Sequence, residues 1–247
     1  MAKDHVIHPI PLVKINFPKP KMTYLFNFGQ TVPIVNYIWY LEGPRENIIV
    51  DAGIAPERLL ARGYKVVESI QSLDQGLSKV GLGVGDIDFV ILTHTHHDHV
   101  ALAHKFPKAK FIIQRAEIEF DRNPHPFIAE TRPADFMELI EGLDFEVVEG
   151  DTEISAGIKV LLTPGHSAGA QSVAINTAQG TAIITGFCCI QENFEPPAEV
   201  RERISFYTPG IHLNVPQAYE SVVRVRELAD LIVPLHEAEL AHKATIP

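Results

Sequence analysis

The stretch that most constrains this chain is Thr93-His94-Thr95-His96-His97-Asp98-His99. It holds four of the twelve histidines, with a carboxylate among them. It directly follows Phe89-Val90-Ile91-Leu92, a short apolar run that reads as a buried strand. In a loop leaving that strand, His94 and His96 can converge on one ion. If a helix starts next, Asp98 and His99 can point toward a second ion beside the first. Imidazoles suit zinc, iron or manganese, and the carboxylate suits a hard or borderline cation.

Two later histidines sit in comparable places. His166 follows an apolar run and lies in Thr163-Pro164-Gly165-His166-Ser167-Ala168-Gly169, where glycines let the backbone turn sharply beside a site. His236 follows Leu231-Ile232-Val233-Pro234, which reads as a closing strand. Both are candidate metal ligands. His97, His104, His125 and His212 are read as non-ligands.

The rest of the chain supplies a scaffold of strands and helices. Residues 1–22, rich in Pro and Lys, read as an irregular lead-in with some extended structure. Residues 24–28 and 34–41 read as strands, and 47–50 as a third, ending at Asp51-Ala52-Gly53. Val66, Ile70, Leu73, Leu77 and Val80 keep helical spacing and predict one helix over that span. A short helix over 100–106, a strand over 110–114 and a helix from 115 come next. Residues 146–148, 158–163, 172–175 and 181–185 read as strands, and 217–229 as the last helix. The proline-bearing stretches 121–140 and 186–216 are possible substrate-site loops, with Phe127, Phe136, Phe194 and Phe206 offering apolar surface. Two sheets packed face to face with helices outside fit this order. One domain over 1–247 is expected, since 247 residues suffice for a full core.

A formal net charge of −10 and the lack of a basic stripe argue against a nucleic-acid partner. No run approaches the length of a membrane span, and the first residues show no apolar signal segment. The two cysteines, Cys188 and Cys189, are neighbours and poorly placed for a disulfide, so a reducing, cytoplasmic setting is the expectation.

In this order, these residues resemble the metallo-β-lactamase superfamily, whose signature H-x-H-x-D-H is matched by His94, His96, Asp98 and His99. Asp51 matches its first motif, where the Asp is mainly structural; His166 and His236 match later ones. The resemblance covers roughly residues 24–240 and implies an α+β fold, a four-layer αββα sandwich. Carried over, His94, His96 and His166 would hold one zinc, and Asp98, His99 and His236 a second; iron or manganese are alternatives. A hydroxide between them would attack a substrate carbonyl, and Asp98 would move the proton to the leaving group.

Within the superfamily, residues 93–100, 163–173 and Glu192-Asn193-Phe194 are most similar to the N-acyl homoserine lactone lactonases. This implies a small-molecule substrate, opening of a lactone or related ester, and a possible homodimer. Other readings of the scaffold are thioester hydrolysis of the glyoxalase II type, a mononuclear iron oxidation, and a non-catalytic metal- or ligand-binding protein. One departure stands out. The family places a bridging Asp after the strand that here ends at Thr185, but the chain reads Gly186-Phe187-Cys188-Cys189. Cys188 or Cys189 is a candidate replacement as a thiolate, as are Glu192 and Glu195, and a weak or absent second ion is the remaining option. The aromatic residue that lactonases set beside the lactone carbonyl has no evident counterpart; Ile190 lies near its place.

Overall fold

The computed structural model describes residues 4–131 and 141–247, with the side chains of residues 129–131 left aside. Its strands are β1 (Val6–Pro18), β2 (Thr31–Glu42), β3 (Ile48–Val50), β4 (Val66–Ser69), β5 (Phe89–Ile91), β6 (Lys110–Gln114), β7 (Phe145–Val148), β8 (Thr152–Ser155), β9 (Ile158–Leu162), β10 (Gln171–Thr177), β11 (Gly180–Ile184) and β12 (Leu231–Val233). They form two sheets, ordered β4-β1-β2-β3-β5-β6-β7 and β12-β11-β10-β9-β8. The first is antiparallel from β4 to β3 and parallel from β3 to β7. The second is antiparallel except for the parallel β11–β12 pair.

The sandwich follows from period-2 alternation in strands apolar on both faces. Along β2, Val35, Tyr37, Trp39 and Leu41 turn inward against Val160, Val173 and Ile184 of the second sheet. Ile34, Ile38 and Tyr40 turn outward, into a second core with Leu59 of α1 (Pro56–Ala61) and Leu77 of α2 (Leu73–Lys79). A third core lies on the far side, where Ile183 and Leu161 meet Val222 and Val225 of the long helix Val215–Leu228. The layers are therefore helix, sheet, sheet, helix, the expected αββα sandwich. Among the described residues, no helix is long and apolar enough to cross a membrane.

Several elements differ from the sequence reading. The lead-in is a 13-residue strand. Its prolines resemble breaks because each lacks an N–H. However, β4 pairs only with Val13–Ile15, so Pro9 and Pro11 sit where β1 has a strand neighbour on one side alone. Residues 24–28 are turns, with Leu25 and Asn27 at φ of 63° and 59°, left-handed values that no strand accommodates. The single helix over 66–80 is two elements. Val66–Ser69 pairs with β1, and Ser72 and Gln75 form a reciprocal capping box that starts α2 only at Leu73. The short helix after the cluster begins earlier than expected, at His97, as α3 (His97–Val100). The helix after β6, α4, is Arg115–Arg122, and Pro126–Thr131 forms a further short helix, α5. Residues 132–140 of the 121–140 stretch lie outside the described residues. The 186–216 stretch carries two short helices, α6 (Gln191–Phe194) and α7 (Ala198–Arg201), and the Val215–Leu228 helix is α8.

Candidate metal centre

Four chain segments deliver polar side chains to one end of the sandwich. In the first sheet, the carboxyl ends of parallel neighbours β3 and β5 lead to Asp51 and to His94–His99. In the second, the β9–β10 turn brings His166, and the end of β12 brings His236. The His166 turn is fixed by Gly165, at φ +113°. A Cβ there would lie 2.2 Å from the Ala218 backbone nitrogen, so only glycine lets α8 pack against the turn.

Two groups of donor atoms result, His94 with His96 and His166, and Asp98 with His99 and His236. Within each, the potential ligand atoms lie within 4.8 Å of one another. The rings of His94, His96 and His166 stand mutually perpendicular, with centroids 4.6–4.7 Å apart. The Nε2 atoms of His94 and His166 face each other at 3.1 Å. In the second group, Asp98 Oδ2 lies 3.4 Å from His99 Nε2 and 3.8 Å from His236 Nε2.

The outer nitrogens fix the tautomers. His166 Nδ1 lies 2.7 Å from the Ile211 carbonyl and His236 Nδ1 lies 3.2 Å from that of Val35. Carbonyls only accept, so both Nδ1 atoms carry the proton and the neutral rings turn Nε2 lone pairs inward. His99 Nδ1 donates to Asp51 Oδ2 at 2.7 Å. Thr93 Oγ1 also donates to Asp51 Oδ2, at 3.0 Å, and accepts from His94 Nδ1 at 3.0 Å. Asp51, fully buried, thus orients two imidazoles and also receives the Thr93 N–H at 2.8 Å. Converging lone pairs with pinned outer N–H groups suit a divalent cation.

The charge states agree with that fit. Burial, reinforced by the neighbouring imidazoles, holds His94 well below its ordinary value. Burial brings His166 and His236 to about 4. All three rings are therefore neutral at pH 7, as ligation requires. Burial works to raise Asp98, but the His99 charge and hydrogen bond overcome it and keep the carboxyl well below the usual range. Burial works to lower His99, but the Asp98 and Asp51 carboxylates win and raise it to about 10. A cation in the second group would take the place of that proton.

The proposed substitutes for the bridging Asp are not brought in. Neither sulfur belongs to a donor group. Cys189 packs in the third core and contacts Thr185 Oγ1 at 3.1 Å. Cys188 borders the cavity, but its thiol contacts Met22 Sδ at 3.4 Å and burial pushes its pKa well up. Glu192 is ion-paired with Lys19 at 2.6 Å and Glu195 is exposed. Gly186 itself has no room: a Cβ would lie 2.0 Å from the Gln171 carbonyl oxygen.

Glu117 of α4 also serves the site. Fully buried, it accepts from Thr95 N (3.1 Å) and Thr95 Oγ1 (2.8 Å) through one oxygen and from Gly169 N (2.8 Å) through the other. It ties the His94–His99 loop to the His166 turn. Gly169 permits this, since a Cβ there would meet the Glu117 nitrogen at 2.4 Å. No local motif marks Glu117, whose partners lie 22 and 52 residues away.

Above the donors opens a cavity of about 370 Å³, with Phe17, Ile34, Leu59, Tyr64, Phe120 and Ile211 among its apolar walls. Of the four phenylalanines expected to serve a substrate, the three among the described residues do not supply them. Phe194 is core, Phe127 points to solvent, Phe206 packs on Tyr219, and Phe136 lies outside the described residues. His212 does border the cavity, with Nδ1 on the Pro209 carbonyl at 2.8 Å and its ring edge-on to Tyr24.

An αββα sandwich with clustered His and Asp donors at one end of its two sheets defines a class of metal-centre proteins. The sequence profile of the metallo-beta-lactamase superfamily matches residues 31–186, well over half of the chain, which belongs to that superfamily. An N-acyl homoserine lactonase of Bacillus cereus is 34% identical over 121 residues, a stretch covering 48% of this chain and only 46% of that protein. An N-acyl homoserine lactonase of Bacillus sp. is 27% identical over 180 residues, covering 68% and 69%. Among solved structures, an N-acyl homoserine lactone hydrolase with N-hexanoyl-L-homoserine bound at its catalytic metal centre superposes at TM-score 0.77. It is 23% identical and covers 97% of this chain and 95% of that one, a likeness of fold.

Proposed function

We propose that this protein is a metal-dependent hydrolase that opens a lactone or a related ester. The observation that carries the reading is the convergence of two donor groups, with oriented imidazoles, on the floor of an apolar cavity. His94, His96 and His166 would hold one ion, and Asp98, His99 and His236 another. Five imidazoles and one carboxylate suit zinc. Such ions acidify a water and polarise a carbonyl oxygen.

The chain's own groups supply the rest. The apolar walls take up the non-reacting part of the substrate and restrict water. Asp98 is ionised at neutral pH, and its carboxylate, 19% exposed, borders the cavity and can accept a proton there. It takes the proton as water oxygen bonds to the acyl carbon. It returns the proton to the alkoxide as the ester C–O bond breaks, leaving a hydroxy acid. The relatives named N-acyl homoserine lactonase support a lactone as the first substrate to try.

The test is turnover of a lactone panel by the protein as purified, after chelation, and after zinc is restored. Asp98→Asn should lose at least about a hundredfold in kcat while circular dichroism stays unchanged. Turnover that survives both chelation and Asp98→Asn would remove this reading.

A further inference from the structure

The second donor group has a neighbour that no motif marks. Asn36 lies on β2, is 2% exposed, and borders the cavity. Its Nδ2 donates to Asp98 Oδ2 at 3.1 Å, the same oxygen that faces His99 and His236. Its other amide atom, Oδ1, is buried with no hydrogen-bond partner. An unsatisfied buried acceptor is destabilising, so as a packing residue alone Asn36 is a poor choice beside an apolar residue of similar shape. Its backbone neighbour Val35 carries the carbonyl that orients His236. Two consecutive residues of β2 therefore touch two members of the group.

The need for such a residue follows from Gly186. With a backbone oxygen 2.0 Å from where its Cβ would be, that position carries no carboxylate. The second group therefore has a single anionic donor, and its hold on a cation depends on how firmly that carboxylate is aimed. Asp98 is also its least enclosed member, 19% exposed against 4% for His99 and 2% for His236. A free carboxylate there would rotate; the Asn36 amide removes that freedom on the buried side.

We infer that Asn36 is a positioning residue for the second metal site, fixing the Asp98 carboxylate toward His99 and His236 in the absence of a bridging carboxylate. The inference rests on the two-group reading above. It concerns ion affinity, so its test does not depend on turnover.

The experiment is zinc titration of chelator-stripped protein against a competing chromophoric chelator, with thermal melting of the same metal-free samples. Wild type should take up two ions. Asn36→Leu, with the same number and branching of side-chain heavy atoms and none of them polar, should keep the first ion's affinity and weaken the second by about 10–100-fold. Its metal-free melting temperature should equal or exceed that of wild type, because the orphaned oxygen is gone. A merely structural asparagine gives the opposite pattern, a lower melting temperature with the second affinity intact, and that result overturns the inference. Asn36→Ser is the parallel variant if the leucine protein does not fold, with the same affinity loss expected. Uptake of one ion by wild type rejects the two-group reading and this inference together. Two ions bound equally well by wild type and variant reject the inference alone.

Discussion

Asp51 Oδ2 accepts a hydrogen bond from His99 Nδ1 at 2.7 Å, across 48 residues of chain, from a backbone held at φ +60°. The left-handed conformation is one that Asp and Asn tolerate better than other side chains. Asp51→Asn should therefore keep the fold, but an amide cannot accept from His99, Thr93 N and Thr93 Oγ1 as the carboxylate does. A loss of about 10–100-fold in metal affinity is expected, read by chelator competition. Wild-type affinity in a folded Asp51→Asn protein would show that the His99 orientation comes from elsewhere.

Glu117 joins the two ligand-bearing loops through three hydrogen bonds inside the core. Glu117→Ala leaves two backbone N–H groups and a hydroxyl without their acceptor. Equilibrium urea unfolding should report a loss of about 3 kcal/mol. A change below about 0.5 kcal/mol would mean that water replaces the carboxylate at little cost.

Restoring the family's carboxylate by Gly186→Asp should fail. The added Cβ meets the Gln171 backbone, which cannot swing aside as a flexible side chain would. The expected outcome is a loss of about 1–3 kcal/mol in stability, with no gain in affinity for the second ion. A stable variant with tighter zinc binding would contradict the steric account.

For metal-free protein, stability should peak near pH 6.5. His166 and His236 have folded pKa values of about 4, below the ordinary 6.5. Between pH 6.5 and 4 the unfolded chain binds more protons, so stability falls as the solution is acidified. His99, at about 10, has the opposite sign: its contribution is complete below pH 6.5 and is lost as pH rises toward 10. Each group changes stability by at most about 1.4 kcal/mol per pH unit. Urea midpoints across pH 4–10 in a chelating buffer check this, and a flat profile would count against the assigned charge states.

What the sequence disclosed and what it concealed divide along physical lines. The donor residues stood out because dense histidines at strand ends are rare and local. The strands β2, β3, β5 and β6 stood out because their apolar runs are short and bounded. Where one pattern serves two structures, local spacing does not decide between them. Val66 and Ile70 fit a helix by spacing, yet the Ser72–Gln75 box starts that helix later. Prolines hid β1, since their cost depends on which side of the strand lacks a neighbour, a tertiary fact. Glu117 and Asn36 act only through partners 22 to 62 residues away, so nothing local announced them.

Gln171 lies between the sheets and reaches from β10 to the carbonyls of Leu92 (2.8 Å) and Ile112 (3.2 Å), while receiving Gln114 Nε2 at 2.9 Å. Each donor group likewise draws members from both sheets. An ion bound by either triplet is therefore a staple between the first and second halves of the chain, and its binding free energy opposes any shear of one sheet over the other. Losing a bound ion would then weaken the hold of one sheet on the other as well as empty the site.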